Sequence, residues 1–246
     1  METIETGPMS RQTNSTMEFV RHPETWLELD QLGKEPRPYH PTIVGFGRFI
    51  NDQHLYYNDC PTKGACIDIG IDGWLRRADA LKLYEMAYYA AGDILEFGTN
   101  RGLSTSILAR AVHDAGKSST IVTMELEPKL AEHARVTLTQ LNLSQQVDFM
   151  VGDADASCQT LVSHGRQFSF AFVDHSHTYD HVKNACHRLP AVLTPGSFCL
   201  FHDFNDPREG AANYGVYSAV RDSLDRSQFE FCGIYGCCGL FRKRDS

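Results

Sequence analysis

Ile94-Leu95-Glu96-Phe97-Gly98-Thr99-Asn100-Arg101-Gly102-Leu103-Ser104 is the stretch on which the fold turns. It begins as a short apolar run, breaks at two glycines, and opens at Ser104 into the helical periodicity of residues 104–115. An apolar run bounded by glycine and followed by a helical period reads as strand, tight turn, helix. Working outward, the same alternation recurs. TIVTME (120–125) precedes a helix over 128–141, VDFMV (147–151) a short helix near 155–163, and FSFAFV (168–173) a helix from Tyr179 to Val192. SFCLF (197–201) is followed by a helix at 215–225, and the chain closes on two apolar runs, FEFCGIY (229–235) and CGLFRK (238–243). Upstream, the spacing of Leu81, Tyr84 and Tyr88 predicts a helix from Trp74 to Ala91. Short apolar strands alternating with amphipathic helices imply a parallel sheet covered on both faces. The expected fold is α/β and Rossmann-like: a mostly parallel, seven-stranded sheet with helices on both faces and a C-terminal antiparallel strand pair.

The 246 residues suffice for one sizeable α/β domain with extensions. Hydrophobic residues at 42% and charged residues at 22% point to neither a disordered chain nor a fibre. A net charge of -8 disfavours a surface built to neutralise phosphate backbones, so no nucleic-acid partner is expected. No apolar run approaches the roughly 20 residues of a membrane span, and the first residues lack the apolar core of a signal peptide. The expectation is a cytoplasmic protein without a membrane partner. Eight cysteines include no C-x-x-C pair, which favours reduced thiols, with Cys186 and Cys199 as small buried hydrophobes. Residues 1–71 read as an arm or lid, partly irregular, with a short amphipathic helix over Met17–Leu32; about the first 40 residues are expected to be dispensable for folding and to help close over the substrate. Residues 72–246 carry the ligand-binding domain, and a homo-oligomer stays open.

In parallel sheets of this kind ligands bind at the carboxyl ends of the strands, so the strand-to-helix turns hold the candidate site. Gly98 and Gly102 let the backbone turn tightly against a ligand, while the amides at the helix start and Ser104 offer hydrogen bonds. A nicotinamide fingerprint needs G-x-G-x-x-G, but Asn100 and Leu103 hold its second and third glycine positions, and a phosphate loop would need G-K-[ST]. Glu125, ending the second strand, is suited to accept from two ribose hydroxyls or to face a helix dipole. Asp153, after the third, is suited to an adenine amine or to helix capping.

The ordered set E-F-G-T-N-R-G-x-S, M-E-L-E-P, V-G-D-A and F-V-D-H-S-H-T-Y resembles the successive motifs of class I S-adenosylmethionine-dependent methyltransferases. More narrowly, Asp72-Gly73-Trp74-Leu75, Asp174-x-x-His177-x-Tyr179, Pro195-Gly196, His202-Asp203 and Gly215-Val216-x-x-Ala219-Val220 resemble the family containing macrocin O-methyltransferase and cephalosporin-hydroxylase-like proteins. The resemblance covers residues 72–246. It implies that S-adenosyl-L-methionine is the cofactor, with Glu96, Gly98, Thr99, Asn100, Gly102 and Ser104 around its methionine part, Glu125 at its ribose, Asp153 and Ala154 at its adenine, and Asp174 nearby. It also implies O-methylation of a small-molecule hydroxyl, with a hydroxylase-like enzyme or a catalytically silent cofactor-binding protein as the alternatives.

Asp174 closes the fourth strand and His202-Asp203 the fifth, so three potential metal ligands converge at the ligand-binding edge. Relatives of this kind hold a divalent cation there, and a histidine in the set suits Mn²⁺, Fe²⁺ or Zn²⁺ beside Mg²⁺. A metal-free polar site is the alternative. His177 is placed to act as a general base with Asp174, or as a turn histidine bonded to backbone. A zincin motif fails, because Thr178 stands where glutamate is needed.

Overall fold

The structure, a computed structural model, describes residues 18–21, 26–27, 31–33, 37–44, 50 and 52–245. In chain order these form β1 (Glu18–Phe19), β2 (Ile43–Val44), α1 (Asp52–Asp59), β3 (Thr62–Lys63), β4 (Cys66–Ile67), α2 (Arg77–Tyr89), β5 (Ile94–Phe97) and α3 (Leu103–Asp114). There follow β6 (Ile121–Glu125), α4 (Pro128–Gln140), β7 (Val147–Val151), α5 (Ala154–Ser163), β8 (Phe168–Val173), α6 (Tyr179–Val192), β9 (Leu193–Phe201), α7 (Val216–Ser223), β10 (Phe229–Tyr235) and β11 (Cys238–Lys243). Seven strands form one sheet in the order β10-β11-β9-β8-β5-β6-β7. The five from β5 to β9 are parallel, and β11 and β10 run antiparallel at one edge. The expected α/β fold with its terminal antiparallel pair is the one observed.

Side chains alternate across the sheet because successive residues of a strand point to opposite faces. Leu95, Phe97, Val122, Met124, Ala171 and Val173 pack on one face with α5, α6 and α7, through Cys158, Val182 and Val220. Ile94, Ile121, Phe170 and Phe172 pack on the other with α2 and α3, through Leu83, Ile107 and Val112. The order of the strands reverses direction at β5, with β6 on one side and β8 on the other. That switch opens a crevice above the carboxyl ends.

Two local expectations differ from what is found. The helix predicted from Trp74 begins at Arg77, because Asp79 Oδ2 accepts the Arg76 N–H at 2.7 Å and so defines the helix start, leaving Trp74 outside and 75% exposed. Over Met17–Leu32 the described residues contain no α-helix; Glu18–Phe19 is a strand paired with Ile43–Val44, and the remainder lies partly outside the described residues. Tertiary contacts override the helical spacing there: Trp26 packs among the rings of Phe204, Tyr217, Phe231 and Phe241, and Leu27 and Leu32 are buried. A buried ion pair fastens residues 40–43 to α2. Lys82 Nζ donates to Glu85 Oε2 at 2.6 Å, to Thr42 Oγ1 at 2.6 Å and to the His40 carbonyl at 2.8 Å, while Glu85 Oε1 accepts the Thr42 and Ile43 N–H groups.

Candidate active site

A cleft of about 600 Å³ lies over the carboxyl ends of β5, β6, β8 and β9. Its first wall is the turn after β5. Gly98 sits at φ +95°, and a Cβ there would come within 2.4 Å of the Asp174 carbonyl oxygen, so only glycine lets β5 and β8 end side by side. Asn100 takes φ +48°, and its N–H donates to Glu125 Oε2 at 2.7 Å; the Glu127 N–H donates to Glu125 Oε1 at 3.0 Å. Glu125 thus braces the turn through both oxygens, each retaining a lone pair for a ligand. Gly98, Thr99, Asn100, Ser104 and Glu125 all line the cleft. Gly102 lies behind it at the start of α3, at φ +91°, with Ala134 of α4 against its α-carbon.

Glu96 is buried beneath the turn. Its Oε2 accepts from the Thr105 and Thr123 hydroxyls at 2.6 and 2.7 Å, and its Oε1 has no partner. Burial raises its pKa to about 7, against the pull of the Ser104, Thr105 and Thr123 hydroxyls. Asp153 caps α5, accepting the Ala156 N–H at 3.0 Å, and with Ala154 it borders a smaller recess beside Phe97 and His175. His175 is half-buried with its Nδ1 out of contact with solvent, and this desolvation lowers its pKa to about 4 and keeps its ring neutral.

The opposite wall carries the acids and imidazoles. His202 Nδ1 lies 3.0 Å from Asp174 Oδ1 and 3.6 Å from Asp203 Oδ1, so the three residues grouped from the sequence do meet in space. His177 joins them, its Nε2 3.1 Å from Asp203 Oδ2 and 3.6 Å from Asp174 Oδ1. One ligand atom each from Asp174, His177 and Asp203 fall within 4.8 Å of one another. Asp203 is held at φ +54°, a sparsely populated conformation of the kind that clusters at functional sites. Burial alone would raise the Asp174 pKa, but the His202 and His177 rings outweigh it and hold it near 2. Burial alone would lower that of His202, yet Asp174 and its other neighbours push it well above the ordinary imidazole value.

Arg208, Leu126 and Asp79 were not singled out in the sequence, whereas Tyr214 reads there either as the wall of an aromatic pocket or as helix packing, and Trp74 as part of Asp72-Gly73-Trp74-Leu75. His177 stacks on Tyr214, centroids 4.9 Å apart and planes 8° from parallel, and the Arg208 guanidinium lies 3.9 Å from the Tyr214 centroid. Leu126, 63% exposed, puts an apolar surface on the cleft beside Glu125, and Trp74 stands at its mouth. Asp79, Cys66 and Cys237 line its closed end. An apolar side chain directly after the acid that ends β6 is the one such signal the sequence carried.

Solved structures share this fold. The O-methyltransferase of Streptomyces achromogenes involved in tomaymycin synthesis, in complex with SAM, superposes with a TM-score of 0.58 at 24% identity, over 69% of this chain and 81% of that one. The O-methyltransferase of Bacillus cereus in complex with SAH gives 0.55 at 22% identity, over 67% and 78%. The chain has the class I methyltransferase fold. Within that fold, residues 95–204 match the family model described as a methyltransferase domain. The methyltransferase resemblance extends to a curated sequence, the catechol O-methyltransferase of Mycobacterium tuberculosis, 41% identical over 81 residues. That match spans 33% of this chain and 34% of the relative, about a third of its length. Among the described residues no helix is long and apolar enough to cross a membrane.

Proposed function

We propose that this chain transfers the methyl group of S-adenosyl-L-methionine to a hydroxyl oxygen of a small molecule. The observation that carries the reading is one cleft shared by two kinds of wall: a glycine turn with an acid at the next strand end, and a cluster of carboxylates and imidazoles facing it. In this reading the amides of Gly98 to Ser104 surround the methionine part of the cofactor. Glu125 accepts from its ribose hydroxyls, Leu126 covers one face of its adenine, and Asp153 and Ala154 border the base. Methyl transfer is an in-line displacement, so the protein's work is to align the acceptor oxygen with the methyl carbon, exclude water and remove the hydroxyl proton. Trp74 and Tyr214 supply flat apolar surface for an acceptor at the mouth. Residues 1–71 are read as contributing a wall and lid, which agrees with Ala65 and Cys66 lining the cleft.

Two carboxylates and an imidazole with their ligand atoms this close fit a divalent cation, and an oxygen-rich set favours Mg²⁺ or Mn²⁺ over softer ions. Asp174 and Asp203 would hold it, with His177 in reach as a third donor. A cation there supplies charge that favours the deprotonated acceptor oxygen. Without one, His177 Nε2–H donates to Asp203 Oδ2 at 3.1 Å, which leaves the ring's other nitrogen, Nδ1, with the lone pair that can accept the proton. The test is a screen of small-molecule hydroxyl acceptors, scoring methylated product and S-adenosylhomocysteine together, with and without chelator. Methyl ethers that vanish on chelation support the reading with its cation, and methyl ethers that persist assign His177 as a metal-independent base. Calorimetric binding of the cofactor with no methylated product from any acceptor would replace the enzyme by a silent binder, and oxidised product would favour the hydroxylase-like alternative.

A further inference from the structure

Behind the proposed catalytic cluster lies a second group of ligating side chains. Asp79 comes from the first turn of α2, His202 from the residue after β9, Cys237 from the turn joining β10 to β11 and Cys238 from the first position of β11. All four are buried, and one ligand atom of each falls within 4.8 Å of the others. Cys237 Sγ is 3.3 Å from His202 Nε2 and 3.4 Å from Asp79 Oδ2; His202 Nε2 is 3.6 Å from Asp79 Oδ2; Cys238 Sγ is 3.6 Å from Asp79 Oδ1. We infer that Asp79, His202, Cys237 and Cys238 form a tetrahedral Zn²⁺ site at the closed end of the cleft, separate from the oxygen-rich cluster of Asp174, His177 and Asp203.

Geometry supports this first. With metal–sulfur bonds of about 2.3 Å and metal–nitrogen or metal–oxygen bonds of about 2.0 to 2.1 Å, a tetrahedron has donor-to-donor edges of roughly 3.3 to 3.8 Å. The three separations among Cys237 Sγ, His202 Nε2 and Asp79 Oδ2, from 3.3 to 3.6 Å, fall in that span, and the Cys238 sulfur, 3.6 Å from the other oxygen of Asp79, completes a set whose ligand atoms all lie within 4.8 Å. Thiolates with imidazole and one carboxylate are a donor set for zinc and not for Mg²⁺.

Preorganisation supports it next. Two backbone donors hold the Asp79 carboxylate in place, Oδ2 accepting the Arg76 N–H at 2.7 Å and Oδ1 the Cys237 N–H at 2.8 Å. Gly236, at φ +60°, makes that approach feasible, since a Cβ there would lie 2.0 Å from Asp79 Oδ1. His202 turns Nε2 toward the sulfur of Cys237, while Nδ1 lies 3.0 Å from Asp174 Oδ1 without an aligned hydrogen bond, so a small ring rotation would bring it to the outer carboxylate that commonly orients a zinc-binding histidine. Charge points the same way. Asp79, Asp174 and Asp203 gather around one imidazole, and the Asp79 carboxylate has no lysine or arginine partner among the described residues. Buried carboxylates want a compensating cation. Entry is open, because Asp79, His202 and Cys237 line the cleft. A closed four-ligand site of this kind is structural. It would tie α2 and the β10–β11 turn to the end of β9, and through His202 set the position of Asp174.

The experiment requires no methyl acceptor and stands whether or not the chain methylates anything. The full-length protein, reduced and stripped with chelator, is titrated anaerobically with Co²⁺ and then with Zn²⁺. Expected are one equivalent of Co²⁺ with the visible bands of a tetrahedral ion and the near-ultraviolet thiolate charge-transfer band, bleached by Zn²⁺ and unaffected by excess Mg²⁺. Cys237→Ser with Cys238→Ser should remove the charge-transfer band and weaken Zn²⁺ binding by roughly 100-fold or more, since outer partners alone are worth about 10- to 100-fold. His177→Ala should retain the band. Absence of the thiolate band from the native protein, a result that needs no variant to fold, overturns the site. So does an unchanged band in the double serine variant.

Discussion

Replacing Glu96 by Gln should convert a pH-dependent part of this protein's stability into a pH-independent one. Glu96 is fully buried in β5, its Oε2 receiving two threonine hydroxyls and its Oε1 unpartnered, and burial raises its pKa from 4.5 to about 7. The folded state therefore holds this proton more firmly than the unfolded chain does. That contribution to stability is complete below pH 4.5 and is lost as the pH rises through about 7. At roughly 1.4 kcal/mol for each tenfold change in proton affinity, the wild type forfeits about 3 kcal/mol between those limits. Glutamine fills the same space, accepts the same hydroxyls and cannot ionise. Its amide group meets no partner at the Oε1 position, which costs about 1 to 3 kcal/mol at every pH. The slope with pH, not the absolute stability, is thus the signature. Urea unfolding of the cofactor-free protein, followed by far-ultraviolet circular dichroism at several pH values from about 4.5 to about 8, should show wild type losing ground to Glu96→Gln by about 3 kcal/mol. Wild-type and variant curves that stay parallel across that range would refute the reasoning.

Gly98→Ala should destabilise the fold, because φ +95° alone costs a non-glycine residue about 1 to 3 kcal/mol and the new methyl would meet the Asp174 carbonyl; a melting temperature equal to wild type would contradict this. Glu125→Ala should weaken S-adenosylmethionine binding by about 1 to 3 kcal/mol in calorimetry through lost ribose hydrogen bonds. Asp153→Ala should in addition cost about 1 kcal/mol of stability as a lost helix cap, whereas Asp153→Asn keeps the cap and isolates the adenine contact. Asp174→Ala or Asp203→Ala should abolish turnover while sparing most cofactor affinity, with chelation of the wild type doing the same; full turnover after exhaustive chelation would leave His177 as the base. Lys82→Met should cost about 3 to 5 kcal/mol in denaturant unfolding, since it leaves Glu85 charged and unpaired in the core.

The reading from sequence reached the sheet because its central strands β5, β6 and β8 are almost wholly buried and therefore nearly uninterrupted apolar runs; the spans predicted for β5, β7, β8, β10 and β11 coincide with those observed. It reached Asp174, His202 and Asp203 because parallel topology delivers strand ends to one edge. It did not reach Asp79, whose partner Cys237 lies 158 residues away across a turn, nor the adjacent Cys237-Cys238 pair, which has no familiar ligand spacing. It also passed over Lys82. A lysine on an amphipathic helix normally faces water, and only the three-dimensional placement of Thr42 and Glu85 shows it buried with its charge answered.

The strand ends are not independent of one another. Gly98 N–H bonds to the Met124 carbonyl, Asp174 N–H to that of Phe97, His202 N–H to that of Val173, and Gly152 N–H to that of Glu125. Each reactive residue is thus the next rung of its neighbour's ladder, and none can shift alone. The mouth is built otherwise: Trp74 projects into solvent and Arg101 pairs with Asp72 at the surface. A lineage could therefore exchange one acceptor molecule for another by substitutions around Trp74, Arg101 and Tyr214, while the chemistry beneath is inherited unaltered.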